Sequence, residues 1–233
     1  MYRFKSFRVP IAPALFATAL ASQAAPVDLR YTGNDQVLAT HVAINDVDNH
    51  IYVGSYAIQL TGQPGSFAAY CVEPFQDVNG LLSPYGRSPL VAAHLPPVNN
   101  TVRFDAVSKL FSSAYAGSLA NGTKAAGFQL ALWEVWHDDR NLTTGSIRSL
   151  ANSDAGMVAE ANSLLGSLAT FSTVAAYDVT YYFSPDFQDF ASADLALEVP
   201  EPETFALLLA GLGMLGLARR RRAGGGKAKV TAT

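Results

Sequence analysis

The chain has a single cysteine, Cys71, among its 233 residues. One cysteine excludes an intramolecular disulfide, although exported proteins ordinarily use their cysteines in pairs. The four histidines stand at scattered positions without metal-ligand spacing: His41, His50, His94 and His137. We therefore expect no metal site and no cofactor. The lone thiol is expected to be buried and inert, engaged with another group, or used for chemistry.

Basic residues are scarce in the central part of the chain. Between Pro26 and Val199, seven Lys and Arg stand against seventeen Asp and Glu, which is an excess of ten acidic residues. Such an acidic domain excludes nucleic-acid binding through a basic face. The glycines are dispersed or terminal, so the sequence also lacks a phosphate-binding loop and a dinucleotide fingerprint.

The N-terminal segment has the pattern of a secretory signal. Three basic residues precede an apolar run at 9–21, and Ser22-Gln23-Ala24 supplies the small residues of a cleavage site. We predict a signal peptide at 1–24. An N-terminal membrane anchor is the weaker alternative, because the run is too short to span a bilayer and contains two prolines.

The C-terminal segment combines three features in a fixed order. Pro200-Glu201-Pro202 is followed by an uncharged stretch, Thr204–Ala218, and then by four arginines that end at Arg222. This order resembles the PEP-CTERM sorting signal of Gram-negative bacteria. The resemblance implies processing by an exosortase, transient membrane anchoring through the C-terminal hydrophobic helix, and delivery to the cell surface or extracellular matrix. The alternative is a tail anchor that stays in the membrane.

These two ends divide the chain into four parts. We predict a signal peptide at 1–24, a single domain at 25–198, the sorting signal at 199–222 and a disordered tail at 223–233. The central part is long enough to bury a sizeable core.

Within the domain, strand patterns come first, helical patterns follow, and another strand pattern ends the series. The predicted elements are a hairpin at 36–61 with a polar turn at Asn45–His50, a strand at Phe67–Val72, a loop or short strand at 78–100, helices at Phe104–Gly117, Lys124–His137 and Asp154–Leu168, and a closing strand at Ala176–Phe183. Thr123 is the expected N-cap of the second helix. The pattern predicts an α+β fold, an antiparallel β-sheet or sandwich with a helical subdomain inserted between strands.

Gln129 places an uncharged carboxamide in the apolar pattern of the second helix. Spacings of four and seven residues align it with Trp133 and Trp136. A buried amide without partners costs a few kcal/mol, so we expect this one to be hydrogen-bonded or otherwise engaged. If the helix begins at Lys124, Gln129 also lies in its first two turns, where the helix dipole would stabilise an oxyanion.

The segments around Cys71 and Gln129 resemble the thioester domains of bacterial surface proteins. Tyr70-Cys71-Val72 matches an aromatic-Cys-aliphatic strand, and Phe128 to Trp133 matches an apolar-Gln-x-x-apolar-Trp segment. The resemblance implies a thioester-domain-like fold. It also implies that the thiol of Cys71 attacks the carboxamide of Gln129, that ammonia leaves, and that an internal thioester closes.

Four aromatic residues are expected to surround this bond and exclude water from it: Tyr70, Phe128, Trp133 and Trp136. The function that follows is an exported binding module whose thioester is opened by an amine or hydroxyl of a partner. A lysine amine is the nucleophile that the resemblance implies. The reaction is single-use, so we expect an adhesin or matrix cross-linker and not a turnover enzyme.

Two alternatives stay open at this point. One is an inert structural matrix protein in which Cys71 is a small core residue and Gln129 is hydrogen-bonded. The other is a cysteine hydrolase or transferase that uses Cys71 as nucleophile and one of the four histidines as base, of which His137 stands beside Asp138 and Asp139.

Overall fold

The structure is a computed structural model, and it describes residues 26–78, 80–171 and 177–195. The strands are β1 (Val27–Ile44), β2 (Val47–Leu60), β3 (Phe67–Cys71), β4 (Ser83–Pro89), β5 (Ile147–Ser149), β6 (Tyr177–Phe183) and β7 (Phe190–Leu195). The helices are α1 (Asn100–Ser118), α2 (Gly122–His137) and α3 (Ala155–Ser167), preceded by one 3-10 turn at Ala92–His94. All three α-helices lie between β4 and β6, which confirms the predicted α+β fold with a helical insertion.

The sheet closes on itself. Its strand order is β2-β3-β7-β6-β4-β1-β5, and β1 also pairs with β2, so six strands form a closed circuit. The N-terminal end of β1 pairs with β4 and its C-terminal end pairs with β5, while its other edge runs along β2. These pairings are antiparallel, as predicted, but the closure depends on long-range pairings that strand patterns do not reveal.

The hairpin of β1 and β2 has a shorter turn than the sequence suggested. Only Asn45 and Asp46 form the turn, with φ angles of 49° and 66°, and Ile44 pairs directly with Val47. Asn and Asp tolerate the left-handed conformation that a two-residue hairpin turn requires. The predicted turn at Asn45–His50 is therefore wrong beyond Asp46, because the polar residues that follow belong to β2.

Helix α2 is the central element of the core. It contacts α1, α3, β1 and β2, and every residue from Ala125 to Trp136 is buried. A helix that is enclosed on all sides has no polar face, which is why its sequence shows only weak amphipathic periodicity.

The start of α2 differs from the prediction. Asn121, not Thr123, is the N-cap, and its side chain accepts a hydrogen bond from the Lys124 N–H at 3.0 Å. The helix begins at Gly122, so Gln129 is its eighth residue and lies beyond the first two turns. The expectation that the N-terminal end of the helix stabilises an oxyanion at Gln129 is therefore wrong.

The end of the domain also differs from the prediction. The strand predicted at Ala176–Phe183 is present as β6, but β7 follows it and pairs with β3. The signal at 1–24, the sorting segment at 199–222 and the tail at 223–233 lie outside the described residues. Within the described ranges, no helix has the length and apolar character needed to cross a membrane.

Candidate functional site

Cys71 is the last residue of β3, where it is held between two strands of the closed sheet. β3 pairs with β2 on one side, and Cys71 itself pairs with Phe190 of β7 on the other. The residue is only 2% exposed. Burial raises the pKa of the Cys71 thiol well above its ordinary value, and the nearby charge of Glu73 adds to the effect. The thiol is therefore protonated at neutral pH.

Gln129 lies against Cys71 although 58 positions separate them in the sequence. Its Oε1 accepts a hydrogen bond from the Cys71 N–H at 3.0 Å, and its Nε2 donates to the Cys71 carbonyl at 2.5 Å. The Gln129 side chain is fully buried. The carboxamide is thus fixed at both ends by the backbone of the residue that carries the thiol.

Two of the four predicted aromatic neighbours pack on the side of the strand opposite to the Cys71 side chain. The rings of Tyr70 and Phe128 lie 4.6 Å apart, and the Tyr70 hydroxyl shares a 2.7 Å hydrogen bond with Ser118. Successive strand residues point to opposite faces, so Tyr70 and Cys71 lie on opposite faces of β3. These aromatic residues exclude water from one side of the strand.

The two tryptophans occupy different places. Trp133 lines a cleft together with Cys71, and its indole Nε1 is buried without a hydrogen-bond partner in the described part of the chain. Trp136 lies 5.8 Å from the ring of Tyr181 and is a neighbour of His137. Trp133 is therefore a wall of the same cleft as the thiol, and Trp136 contributes to the packing near the end of α2.

His137 holds the backbone next to Cys71. Its Nε2 donates to the Val72 carbonyl at 2.9 Å. Burial lowers the pKa of His137 to about 4, so the imidazole is neutral at physiological pH. The ring nitrogen that a Cys-His pair would direct at the thiol is instead engaged with the peptide carbonyl that follows Cys71.

The connection between β6 and β7 supports the same segment, which no sequence pattern predicted. The Val72 N–H donates to the Asp189 carbonyl at 3.1 Å, and the Gln188 side-chain amide donates to the Glu73 carbonyl. The backbone of Cys71 and of the two residues after it is consequently tied to α2 and to this connection. A separation of more than a hundred residues hides such a contact from sequence patterns.

A cleft of about 450 Å³ opens beside Cys71. The β1–β2 hairpin forms one wall, and residues of the connection after β3 form another. Its lining consists of Tyr31, Asn34, Ile44, Asn49, His50, Ile51, Tyr52, Tyr56, Cys71, Pro74, Gln76, Asp77, Val78, Trp133 and Gln188. Of the histidines, His50 lines this cleft and stacks on His41 at 4.7 Å, whereas His94 packs against Tyr181 elsewhere.

Glu134 is a buried carboxyl group that the sequence did not single out. Its Oε2 accepts from the Asn141 N–H at 3.1 Å, and its Oε1 is buried without a partner among the described residues. Burial raises the pKa of Glu134 to about 8, and Asp138 and Asp139 add to the shift. Among the described residues, Glu134 and Asp189 are the buried residues with a carboxyl side chain.

No group of three or more His, Cys, Asp and Glu side chains within the described ranges is arranged to hold a metal ion. In the part of the chain that the structure describes, the backbone of Cys71 bonds to Gln129 and pairs with Phe190, and neither residue is a cysteine or a histidine.

The structure is similar to several solved surface-protein domains at low sequence identity. One is the N-terminal domain of the Streptococcus pyogenes pilus tip adhesin Cpa (TM-score 0.46, 12% identity, 72% of this chain and 98% of that chain). Another is the N-terminal thioester domain of a Clostridium perfringens surface protein (TM-score 0.45, 13% identity, 67% and 99%). A third is the corresponding thioester domain of a protein F2 like fibronectin-binding protein from Streptococcus pneumoniae (TM-score 0.44, 12% identity, 72% and 94%).

No curated protein matches the chain in sequence. The PEP-CTERM protein-sorting motif matches residues 198–222. This match confirms the sorting signal that Pro200, Glu201 and Pro202 indicated, and it starts one residue before the predicted segment. The chain therefore carries a PEP-CTERM sorting motif, which indicates an exported protein sorted to the cell surface.

Proposed function

We propose that Cys71 and Gln129 form an internal thioester and that the protein uses this bond once, to attach itself covalently to a partner outside the cell. The observation that carries the proposal is the pair of hydrogen bonds between the Gln129 carboxamide and the Cys71 backbone. It supports the proposal because it holds a buried carboxamide against the backbone of the one residue in the chain that carries a thiol.

The bond forms by acyl transfer. The Cys71 Sγ attacks the side-chain carbonyl carbon of Gln129, the C–N bond breaks, and the amide nitrogen leaves as ammonia with the thiol proton. Negative charge develops on Oε1 during the attack, and the Cys71 N–H already donates to that oxygen at 3.0 Å. This backbone donor takes the role that we had assigned to the helix N-terminus.

Capture of the partner reverses the direction of acyl transfer. An amine or hydroxyl attacks the thioester carbonyl, the C–S bond breaks, and the Cys71 sulfur takes up the proton that the nucleophile loses. Gln129 is left in an amide or ester bond to the partner. Burial of both Cys71 and Gln129 favours persistence of the thioester until then, because it excludes water from the bond. The thioester is consumed, so we propose a binding module and not a turnover enzyme.

Location is the second part of the proposal. The PEP-CTERM motif implies processing by an exosortase, so the capture would take place at the cell surface or in the extracellular matrix. The partner is then a protein or polysaccharide with an accessible amine or hydroxyl, and the outcome is adhesion or matrix cross-linking.

One observation favours an inert structural protein as the second candidate. The Gln129 carboxamide has both a donor and an acceptor satisfied by the Cys71 backbone, which is sufficient to explain a buried glutamine without any reaction. A cysteine hydrolase is less well supported, because Nε2 of His137 is engaged with Val72 and not with the thiol.

Covalent labelling distinguishes these functions. The freshly purified protein is incubated with a fluorescent primary amine, and the labelled peptide is identified by mass spectrometry. Our proposal expects the label on Gln129 and a newly free thiol at Cys71, and it expects no label in Cys71→Ala or Gln129→Ala. Equal labelling of the parent and both variants would rule out capture through this bond.

A further inference from the structure

The cleft beside Cys71 is lined by four aromatic residues. Tyr31, Tyr52, Tyr56 and Trp133 all contribute side chains to it, and Tyr52 is 58% exposed. The Tyr31 hydroxyl donates to Asn34, and the Tyr56 hydroxyl donates to the Tyr52 carbonyl. Because the hydroxyl protons of Tyr31 and Tyr56 are already used within the protein, these two rings offer a ligand mainly apolar surface.

The polar part of the lining is dominated by carboxamides. Asn34, Asn49, Gln76 and Gln188 line the cleft beside the imidazole of His50, and among the described lining residues Asp77 is the one carboxylate and none is a lysine or arginine. Each carboxamide offers both donors and an acceptor. Within the described residues, the structure leaves the Asn34 amide nitrogen, which donates, and the Asn49 side-chain oxygen, which accepts, for a ligand.

This combination matches the surface of a sugar. A pyranose ring has an apolar face of C–H groups that packs on an aromatic ring, and a rim of hydroxyls that both donate and accept hydrogen bonds. A lysine side chain has different needs, because its apolar stem ends in three donors and no acceptor. A single carboxylate among four carboxamides is poorly matched to a cation and well matched to hydroxyls.

We propose that this cleft binds a sugar residue of a polysaccharide, and that the bound sugar supplies the nucleophile for the thioester. The inference rests on the proposed function for its covalent step and on the cleft alone for its binding step. A sugar amine or hydroxyl attacks the Gln129 carbonyl, the C–S bond to Cys71 breaks, and the sulfur takes the proton, so the protein gains the full mass of the sugar.

The first arm of the test measures reversible binding and does not depend on the thioester. In a Cys71→Ala background, binding of a β-linked glucosamine tetramer is titrated and compared with binding of a tetralysine peptide. We expect the tetramer to bind more tightly. Adding Tyr52→Ala weakens this binding about three- to tenfold, the size of one aromatic contact. Phe183→Ala, at another exposed aromatic residue outside the cleft, leaves it unchanged.

The second arm measures covalent capture in the parent with intact mass as the readout. Glucosamine and methylamine are added separately, and the ratio of their rates is compared between the parent and Tyr52→Ala, so that the intrinsic reactivity of each amine cancels. The rate of glucosamine addition divided by the rate of methylamine addition is expected to be about three- to tenfold lower in Tyr52→Ala than in the parent.

The outcomes separate the two proposals. Failure of methylamine to add would contradict the thioester, while the first arm would still decide whether the cleft binds sugar. Tighter binding of tetralysine, or absence of saturable tetramer binding, would overturn the sugar site even if methylamine adds normally. An unchanged rate ratio in Tyr52→Ala would overturn it as well.

Discussion

Gln129 is joined to Cys71 by two hydrogen bonds, and in both of them the side chain of Gln129 meets the backbone of Cys71. The contact therefore does not depend on the thiol. A protein that lacks the sulfur keeps both hydrogen bonds, whereas a protein that lacks the carboxamide leaves a buried N–H and a buried carbonyl without partners.

The first prediction follows from this asymmetry. Gln129→Ala is expected to unfold more easily than Cys71→Ala, with a free energy of unfolding lower by about 1–3 kcal/mol, because it abandons two buried backbone groups. Neither variant can form a thioester, so the comparison measures the two hydrogen bonds together with the larger volume of side chain removed at position 129. Urea unfolding of the two variants tests it, and equal midpoints with equal slopes would contradict the geometry.

The second prediction concerns the packing of α2 on α3. A Cβ added to Gly127 would lie 2.5 Å from the Cβ of Glu160, so Gly127→Ala forces the two helices apart. We expect a loss of about 1–3 kcal/mol in the free energy of unfolding. Gly166→Ala is the matched control, since it lies in α3 with nothing within 4 Å of the added Cβ.

Gly166→Ala should change the free energy of unfolding in the opposite direction. An alanine in place of an exposed helical glycine stabilises by about 0.5–1 kcal/mol. Thermal unfolding measures the change in stability of both variants. A stabilising Gly127→Ala would show that α2 and α3 are not in close contact at this position.

The third prediction is a pH dependence caused by Glu134. Its pKa is about 8 in the folded protein because of burial, and about 4.3 in an unfolded chain. Between these two values the unfolded chain gives up the proton and the folded protein keeps it. The stability associated with this residue is therefore fully present below about pH 4.3 and is lost as the pH rises through 8.

Replacing the carboxyl group tests this directly. Glu134→Gln is expected to raise the free energy of unfolding near pH 8 by about 1–3 kcal/mol relative to the parent, and to flatten the fall between pH 5 and 8. Glu160→Gln, the same change at a part-exposed position of α3, serves as the control. If the parent and Glu134→Gln showed parallel profiles, the Glu134 carboxyl would be ionised in the folded protein.

Some of the fold could be predicted from the sequence because the signals are local. Alternating β-branched residues predicted the hairpin, and apolar periodicity predicted α1 and α3. The pairing of Cys71 with Gln129 came from two short motifs, and the structure brings those residues together. The α+β arrangement followed from the order of these elements.

The remaining features depend on contacts between distant segments. β5 has three residues and β7 has the weak strand sequence Phe190–Leu195, so neither is distinguishable from a loop by propensity. The hydrogen bond from His137 to the Val72 carbonyl and the cleft beside Cys71 both combine residues far apart in the chain. No local pattern encodes such a juxtaposition.

The most direct test of the account is the high-resolution intact mass of the freshly purified protein under non-reducing, denaturing conditions, next to Cys71→Ala and Gln129→Ala. We predict that the parent is lighter than its plain mature sequence by one ammonia and that both variants have their calculated masses. A hydrolysed thioester would remain recognisable, because it leaves a glutamate at position 129. A parent with the mass of the plain sequence, an intact Gln129 and a free thiol would contradict the thioester.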